Sequence, residues 1–130
     1  MTAAVLCCVA GVASGVGFTW ITDDCPLNDP CSWQYIGNWE PDTPTCAPCY
    51  PSSSNDDATI PLLEDHAYVD LGDSDFTIDD FTITSTTDDN VTFMGSATIS
   101  VDTLVITGPT SSGYVAVYFI QGTKLVASSP

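Results

Sequence analysis

The sequence has almost no positive charge. Lys124 is the one cation among 130 residues, arginine is absent, and seventeen acidic side chains give a formal net charge of −16. Proteins bind nucleic acids, nucleotides and anionic lipids chiefly through Lys and Arg. The shortage therefore excludes nucleic acid as a partner and disfavours a membrane surface.

Glutamate is also scarce, since only Glu40 and Glu64 accompany the many aspartates. Asp forms helices and strands poorly and favours turns. Apolar residues are plentiful, because 44% of the chain is hydrophobic, and this excludes a disordered acidic tail. The length suits one ordinary domain. Together these features predict a turn-rich all-β domain.

The cysteines predict a disulfide-stabilised, secreted protein. Six of them, an even number, include four in a short Pro-rich stretch. They are Cys7, Cys8, Cys25, Cys31, Cys46 and Cys49. Two alternatives stay open for the last four, a four-thiolate zinc site and a redox Cys46-Ala-Pro-Cys49 motif, although the Pro- and Ser-rich residues 50–54 disfavour the helix that a redox motif needs. The spacing does not determine the pairing.

Residues 1–19 are uncharged and apolar. They predict either a strand donated to a neighbouring subunit or a signal peptide, although the basic start of a signal peptide is missing. A membrane helix is disfavoured because glycines interrupt the segment and no Lys or Arg flanks it. Cys7 and Cys8 cannot pair with each other, so we expect each to reach a partner, with residues 25–49 as the candidate region.

A repeat occupies the second half of the chain. Residues 77–84 align with residues 100–107, 23 positions later. Apolar residues alternate with period two in both copies, which predicts half-buried strands. The spacing between apolar residues increases from two to three over Asp79-Asp80 and again over Asp102-Thr103. This predicts a corner between two strands at each place.

The predicted fold is a short parallel β-helix, or solenoid, of about two to three coils with three short strands per turn and a disulfide-rich N-terminal cap. A β-sandwich is the alternative. Three segments follow: an apolar segment at 1–19, a Cys-, Trp- and Pro-rich cap at 20–57, and coils at 58–130.

Part of the chain resembles secreted and cell-surface β-helix repeat proteins. The resemblance rests on residues 33–39 with their Gly-Asn-Trp, the Pro-rich loop after them, the Asp-Asp-Ala-Thr-Ile of residues 56–60, and residues 68–71. In that family such a segment leads into the first coils. The resemblance implies extracellular display or adhesion and supplies no catalytic residue.

The sequence predicts a protein that is not an enzyme. Sequential Asp pairs occur at 56/57, 79/80 and 88/89, but neighbouring residues on a strand point to opposite faces, so such pairs favour solvated turns over an acid and base. His66 is the one histidine and is expected to be a surface turn residue, because a single histidine without partners makes no triad.

Two kinds of non-catalytic site are predicted. Turn oxygens cluster at Asp73 and Asp75 and again at Asp88 and Asp89, and these residues are candidate ligands for a structural Ca²⁺, the cofactor that this pattern indicates. Asn90-Val91-Thr92 is an N-glycosylation sequon, placed at a predicted turn.

The predicted function is a non-enzymatic structural subunit of an extracellular filament or surface assembly. Open solenoid ends expose strand edges, and an apolar N-terminal segment with a strand-rich stretch at 113–120 suits head-to-tail joining of identical copies by strand donation. The alternative is a secreted adhesion or carbohydrate-binding module in which Trp33, Trp39 and Tyr50 stack on sugars, although clustered aromatics near cysteines also suit a small core.

Overall fold

The fold is built from strands. The computed structural model describes residues 15–22, 24–62, 66–85, 89–109 and 115–129, which contain no α-helix and one 3₁₀ turn, Ile36–Asn38. The strands are β1 (Gly17–Trp20), β2 (Cys31–Ser32), β3 (Trp39–Pro41), β4 (Asp57–Leu62), β5 (Ala67–Asp70), β6 (Phe76–Ser85), β7 (Asp89–Met94), β8 (Thr98–Thr107), β9 (Val115–Phe119) and β10 (Lys124–Ser129). The prediction of an all-β chain is confirmed.

The strands form two sheets. One has six strands in the order β10-β8-β6-β4-β1-β3, and the other has four in the order β2-β5-β7-β9. All neighbours are parallel except β1 and β3. Ile78 pairs with Val101, so the register of β6 and β8 follows the 23-residue repeat of the sequence.

The finer prediction of a parallel β-helix is not confirmed, because the six-stranded sheet is mixed and the two sheets do not close into a solenoid. The predicted strand breaks are also wrong. Asp79-Asp80 lies inside the ten-residue β6, and Asp102-Thr103 lies inside β8. Ile78 and Phe81, three residues apart, are both buried, so the strand changes its inward face without ending.

The core lies between the two sheets and is centred on Trp33, which is fully buried. Its ring centroid lies 4.7 Å from that of Trp39, 5.1 Å from that of Phe76 and 5.6 Å from that of Phe81. The Trp33 Nε1–H donates to the carbonyl of Pro51 at 2.9 Å. The cap tryptophans therefore fill the core, and their prediction as sugar-stacking residues is wrong for Trp33 and Trp39, since neither ring is exposed.

Two disulfides form within the cap, Cys25–Cys31 and Cys46–Cys49. Cys25 is buried, whereas the other three are half-buried. Because the four sulfurs pair with one another, the four-thiolate zinc alternative is wrong, and so is the expectation that residues 25–49 supply partners for Cys7 and Cys8. Cys7 and Cys8 themselves lie outside the described residues.

The segment boundaries differ from the expected ones at the N-terminus. Gly17–Trp20 forms β1, between β3 and β4 of the chain's own sheet, and Phe18 is buried. These residues are therefore part of the fold, and the boundary expected after residue 19 falls inside a strand. Residues 1–14 lie outside the described part of the chain.

Within the described ranges, no helix is long and apolar enough to cross a membrane.

Candidate functional sites

Of the aspartates predicted to bind Ca²⁺, the structure describes the side chains of Asp73 and Asp75 and does not bring them into a cluster of carboxylates with other described residues. Asp73 and Asp75 are exposed, and the Asp75 carboxylate accepts a hydrogen bond from the Thr98 N–H at 2.8 Å, which links the loop before β6 to the start of β8. Asp88 and the side chain of Asp89 lie outside the described residues. The structure therefore gives Asp75 a loop-fixing contact and offers no calcium site at the predicted residues that it describes.

A different acidic cluster forms where β4 and β6 pair. Carboxylate oxygens of Asp57, Asp79 and Asp80 lie within 4.8 Å of one another. The Asp80 N–H donates to Asp57 Oδ1 at 3.1 Å, and the Asp79 N–H donates to the carbonyl of Asp56 at 2.7 Å. The sequence carried the signal for this cluster, because Asp-Asp recurs after 23 residues at 56/57 and 79/80. Each pair taken singly favours a solvated turn, and the cluster follows only when the two pairs are aligned at the repeat spacing.

This cluster is electrostatically unfavourable as it stands. Partial burial raises the pKa of Asp79, and the neighbouring charges of Asp80, Asp57 and Asp102 raise that pKa further. Three carboxylates could hold a divalent cation, but Ca²⁺ takes six to eight oxygens, so water would have to supply the others. Burial and repulsion from the neighbouring carboxylates therefore both disfavour the charged form of Asp79.

Replacing Asp79 with Asn should raise the melting temperature at pH 7. A carboxyl with a raised pKa opposes folding while it is ionised, and this penalty disappears as the pH falls through its folded pKa and below its unfolded value, about 3.9 for Asp. The gain should therefore vanish near pH 3 and shrink in high salt. Thermal melts of both proteins at several pH values measure this, and a gain that persists at pH 3 would contradict the repulsion.

His66 occupies a more structured position than the expected surface turn. It directly precedes β5, is half-buried, and its Nε2 lies 2.7 Å from Thr92 Oγ1. Its ring stacks on that of Tyr68 at 4.4 Å and lies parallel to that of Tyr118 at 6.4 Å. Burial lowers the pKa of His66, which favours the neutral ring at pH 7. These contacts hold the ring in place and give it no carboxylate partner among the described residues.

Asn90 lies in β7, so the expectation that its sequon is at a turn is wrong. The side chain is half-buried, and its Oδ1 is covered with no hydrogen-bond partner among the residues that the structure describes. The Thr92 of the sequon is buried. Glycosylation of Asn90 stays a prediction, on a strand face beside His66.

The Cys46–Cys49 loop borders a cleft of about 610 Å³. Among the described residues it is lined mainly by hydroxyl-bearing and small side chains, with Asp56 as the one ionisable group. The Asp56 carboxylate accepts hydrogen bonds from the N–H groups of Ser52 at 3.1 Å, Ser53 at 3.0 Å and Val16 at 3.2 Å. Asp56 is therefore a structural clamp between the cap loop and the start of β1, and the disulfide has no general base beside it in the described cleft.

The N-terminal end of the six-stranded sheet is closed. Its edge strand β3 contains Pro41, which has no N–H, and the Trp39 N–H already donates to the carbonyl of Ile36. In the other sheet, the Ser32 carbonyl of edge strand β2 accepts from Asn38 Nδ2 at 2.8 Å. The cap thus uses backbone groups that a further strand would need.

The described strands leave apolar side chains exposed at the C-terminal end. Ile60, Ile83 and Ile106 occupy one row across β4, β6 and β8, and their exposed fractions are 0%, 0% and 46%. Of the nine large hydrophobic residues that are exposed in the described ranges, five lie in this last part, namely Val105, Ile106, Tyr118, Ile120 and Val126. As far as the structure describes the chain, the sheets therefore have a closed N-terminal end and an apolar C-terminal end, which we call the open end.

Comparisons with protein-family models, curated proteins and solved structures gave no match to this chain.

Proposed function

We propose that this protein is a non-enzymatic structural subunit of an extracellular filament or surface assembly, in which copies join head to tail. The observation that carries the proposal is the difference between the two ends of the sheets. A closed end and an open apolar end give each copy a direction, and head-to-tail contacts of that kind propagate.

The architecture in this proposal is a short β-helix that becomes continuous through stacking. Parallel pairing of β4, β6 and β8 at the repeat spacing supports it, as does the resemblance of residues 33–39 and 56–60 to secreted and cell-surface β-helix repeat proteins. The two disulfides support an oxidising compartment and hence secretion. A glycan on Asn90 would suit the same compartment.

The distribution of charge favours contact at the ends. From residue 90 onward the sequence carries one acid, Asp102, and one cation, Lys124, and residues 1–22 carry no charged side chain. Two copies with a net charge of −16 each repel, and this repulsion is least where neutral segments meet. Residues 1–14 are accordingly the proposed donated strand.

We expect the full chain to gain mass with concentration in light scattering and to form fibres in electron microscopy. Assembly should strengthen as salt screens the acidic surfaces. Removal of residues 1–14 deletes no residue of a described strand and should weaken association at least tenfold. The matched control is Thr77→Ser, at an exposed residue of β6, which lies between β4 and β8 and away from both ends, and it should assemble as the wild type does.

A wild-type chain that stays monomeric at all concentrations would overturn the proposal. Assembly that survives the truncation would remove strand donation from it. Circular dichroism of the truncated chain shows whether a loss of assembly reflects loss of the fold.

A further inference from the structure

The outer edge of β8 is only partly covered. β10 pairs with it from Lys124 opposite Thr98 to Ser129 opposite Thr103, whereas β8 continues to Thr107. In the part of the chain that the structure describes, no strand pairs with this edge beyond Thr103. We name this edge at residues 104–107, with which no described strand pairs on the side of β10, the β8 slot.

The β8 slot is also where the core is exposed. Leu104 and Ile106 continue the rows of Phe81 and Ile83, which are fully buried one repeat earlier. Leu104 is half-buried and Ile106 is 46% exposed. Because a further strand would cover these side chains and pair with the free backbone groups, the slot meets both requirements of strand addition.

We propose that the β8 slot is the acceptor for residues 1–14 of a second copy of this chain, an inference that rests on the proposed function. Chemistry and length fit this occupant. The segment has no charged side chain, and the charged residues nearest to the slot in sequence are Asp102 and Lys124. Fourteen extended residues span about 46 Å, against about 13 Å for a four-residue slot.

The head-to-tail arrangement of the proposed function selects a neighbouring copy as the donor. Residues 1–14 precede β1, which belongs to the first strands at the closed end of the fold. In a head-to-tail stack this segment enters at the level between the open end of one copy and the first strands of the next. Within one copy the far edge of β8 lies beyond β4 and β6, about 15 Å away at the usual strand spacing and within reach of fourteen residues, so the isotope experiment below distinguishes the two donors.

The first test compares two full-length variants that add the same charge at exposed sites. Ile106→Asp lies in the slot, and Thr77→Asp lies on β6, between β4 and β8 and away from both ends. We expect Ile106→Asp to weaken association at least tenfold and Thr77→Asp to leave it within about twofold. Thermal melts of both variants identify any loss of fold, in which case Val105→Asp, on the exposed face of the same slot, replaces Ile106→Asp.

The second test locates the donor. Val105→Cys should form a disulfide with Cys7 or Cys8 under oxidising conditions, found by peptide mass mapping, whereas Val126→Cys on β10 should not. A mixture of isotope-labelled and unlabelled copies should give a linkage between copies. A linkage confined to one copy, or none at Val105→Cys, overturns the slot.

The outcomes separate the slot from the proposed function. If Ile106→Asp and Thr77→Asp assemble equally while removal of residues 1–14 still prevents assembly, the acceptor lies elsewhere and the function stands. If the wild type never associates, both proposals fail.

Discussion

Trp33→Ala should destabilise the protein by about 4 kcal/mol, the middle of the range for removing a buried large aromatic side chain. Trp33 is fully buried, and its ring lies among those of Trp39, Phe76 and Phe81. Substitution removes these contacts and leaves a cavity between the sheets. It also leaves the Pro51 carbonyl without the indole N–H that it accepts. Urea denaturation followed by circular dichroism, below the concentration of assembly, measures the loss.

Two further substitutions make this prediction specific. Tyr35→Ala removes an aromatic ring two residues along the chain, but Tyr35 is 61% exposed, so its effect should stay within about 0.5 kcal/mol. Trp33→Phe keeps an aromatic ring and loses the hydrogen bond, so it should fall between the two. Equal losses at Trp33 and Tyr35 would contradict the position of Trp33 at the centre of the core.

The sequence predicted the repeat register correctly because that register depends on local pattern. Equivalent apolar residues of successive repeats, such as Ile78 and Val101, lie opposite each other in neighbouring parallel strands. The same pattern could not show whether the strand ends where the spacing of apolar residues changes from two to three. Burial of both Ile78 and Phe81 inside β6 depends on how the opposite sheet packs against them.

The cap was less predictable, because its contacts are long-range. Tryptophans such as Trp33 and Trp39 suit a sugar-binding surface and a small core equally well, and only their packing distinguishes the two. Trp33 packs against Phe81 of β6 and Phe93 of β7, and Trp39 packs against Trp33. The disulfide pairing could not be derived either, since four cysteines in a Pro-rich loop allow more than one arrangement.

The acidic side chains show that one residue type can have opposite effects on stability. Asp56 and Asp79 are 23 residues apart and so occupy equivalent places in successive repeats. The carboxylate of Asp56 accepts three backbone N–H groups, whereas Asp79 lies among Asp57, Asp80 and Asp102. Net charge alone would predict that removing either carboxylate stabilises the protein. The hydrogen bonds of Asp56 predict instead that removal of its carboxylate destabilises the protein, whereas removal of the Asp79 carboxylate stabilises it.

Asp56→Ala should therefore destabilise the protein by about 3 kcal/mol, since hydrogen bonds to a charged acceptor contribute about 1.5–3 kcal/mol and their loss leaves donors unpaired. The N–H groups of Val16, Ser52 and Ser53 lose their shared acceptor, so the cap loop separates from the start of β1. Asp73→Ala, at an exposed turn residue, is the matched control and should change stability by less than about 0.5 kcal/mol.

Urea denaturation of Asp56→Ala and Asp79→Asn at pH 7 shows whether the hydrogen bonds of Asp56 or the overall repulsion between acidic groups has the larger effect on stability. Destabilisation by the first and stabilisation by the second is the expected pair, because one carboxylate is buried against N–H donors and the other faces carboxylates. If both variants were stabilised, relief of overall repulsion would outweigh the three hydrogen bonds, and Asp56 would not clamp the cap to β1. Such a result would also weaken the case that the cap closes the N-terminal end, which gives the proposed assembly its direction.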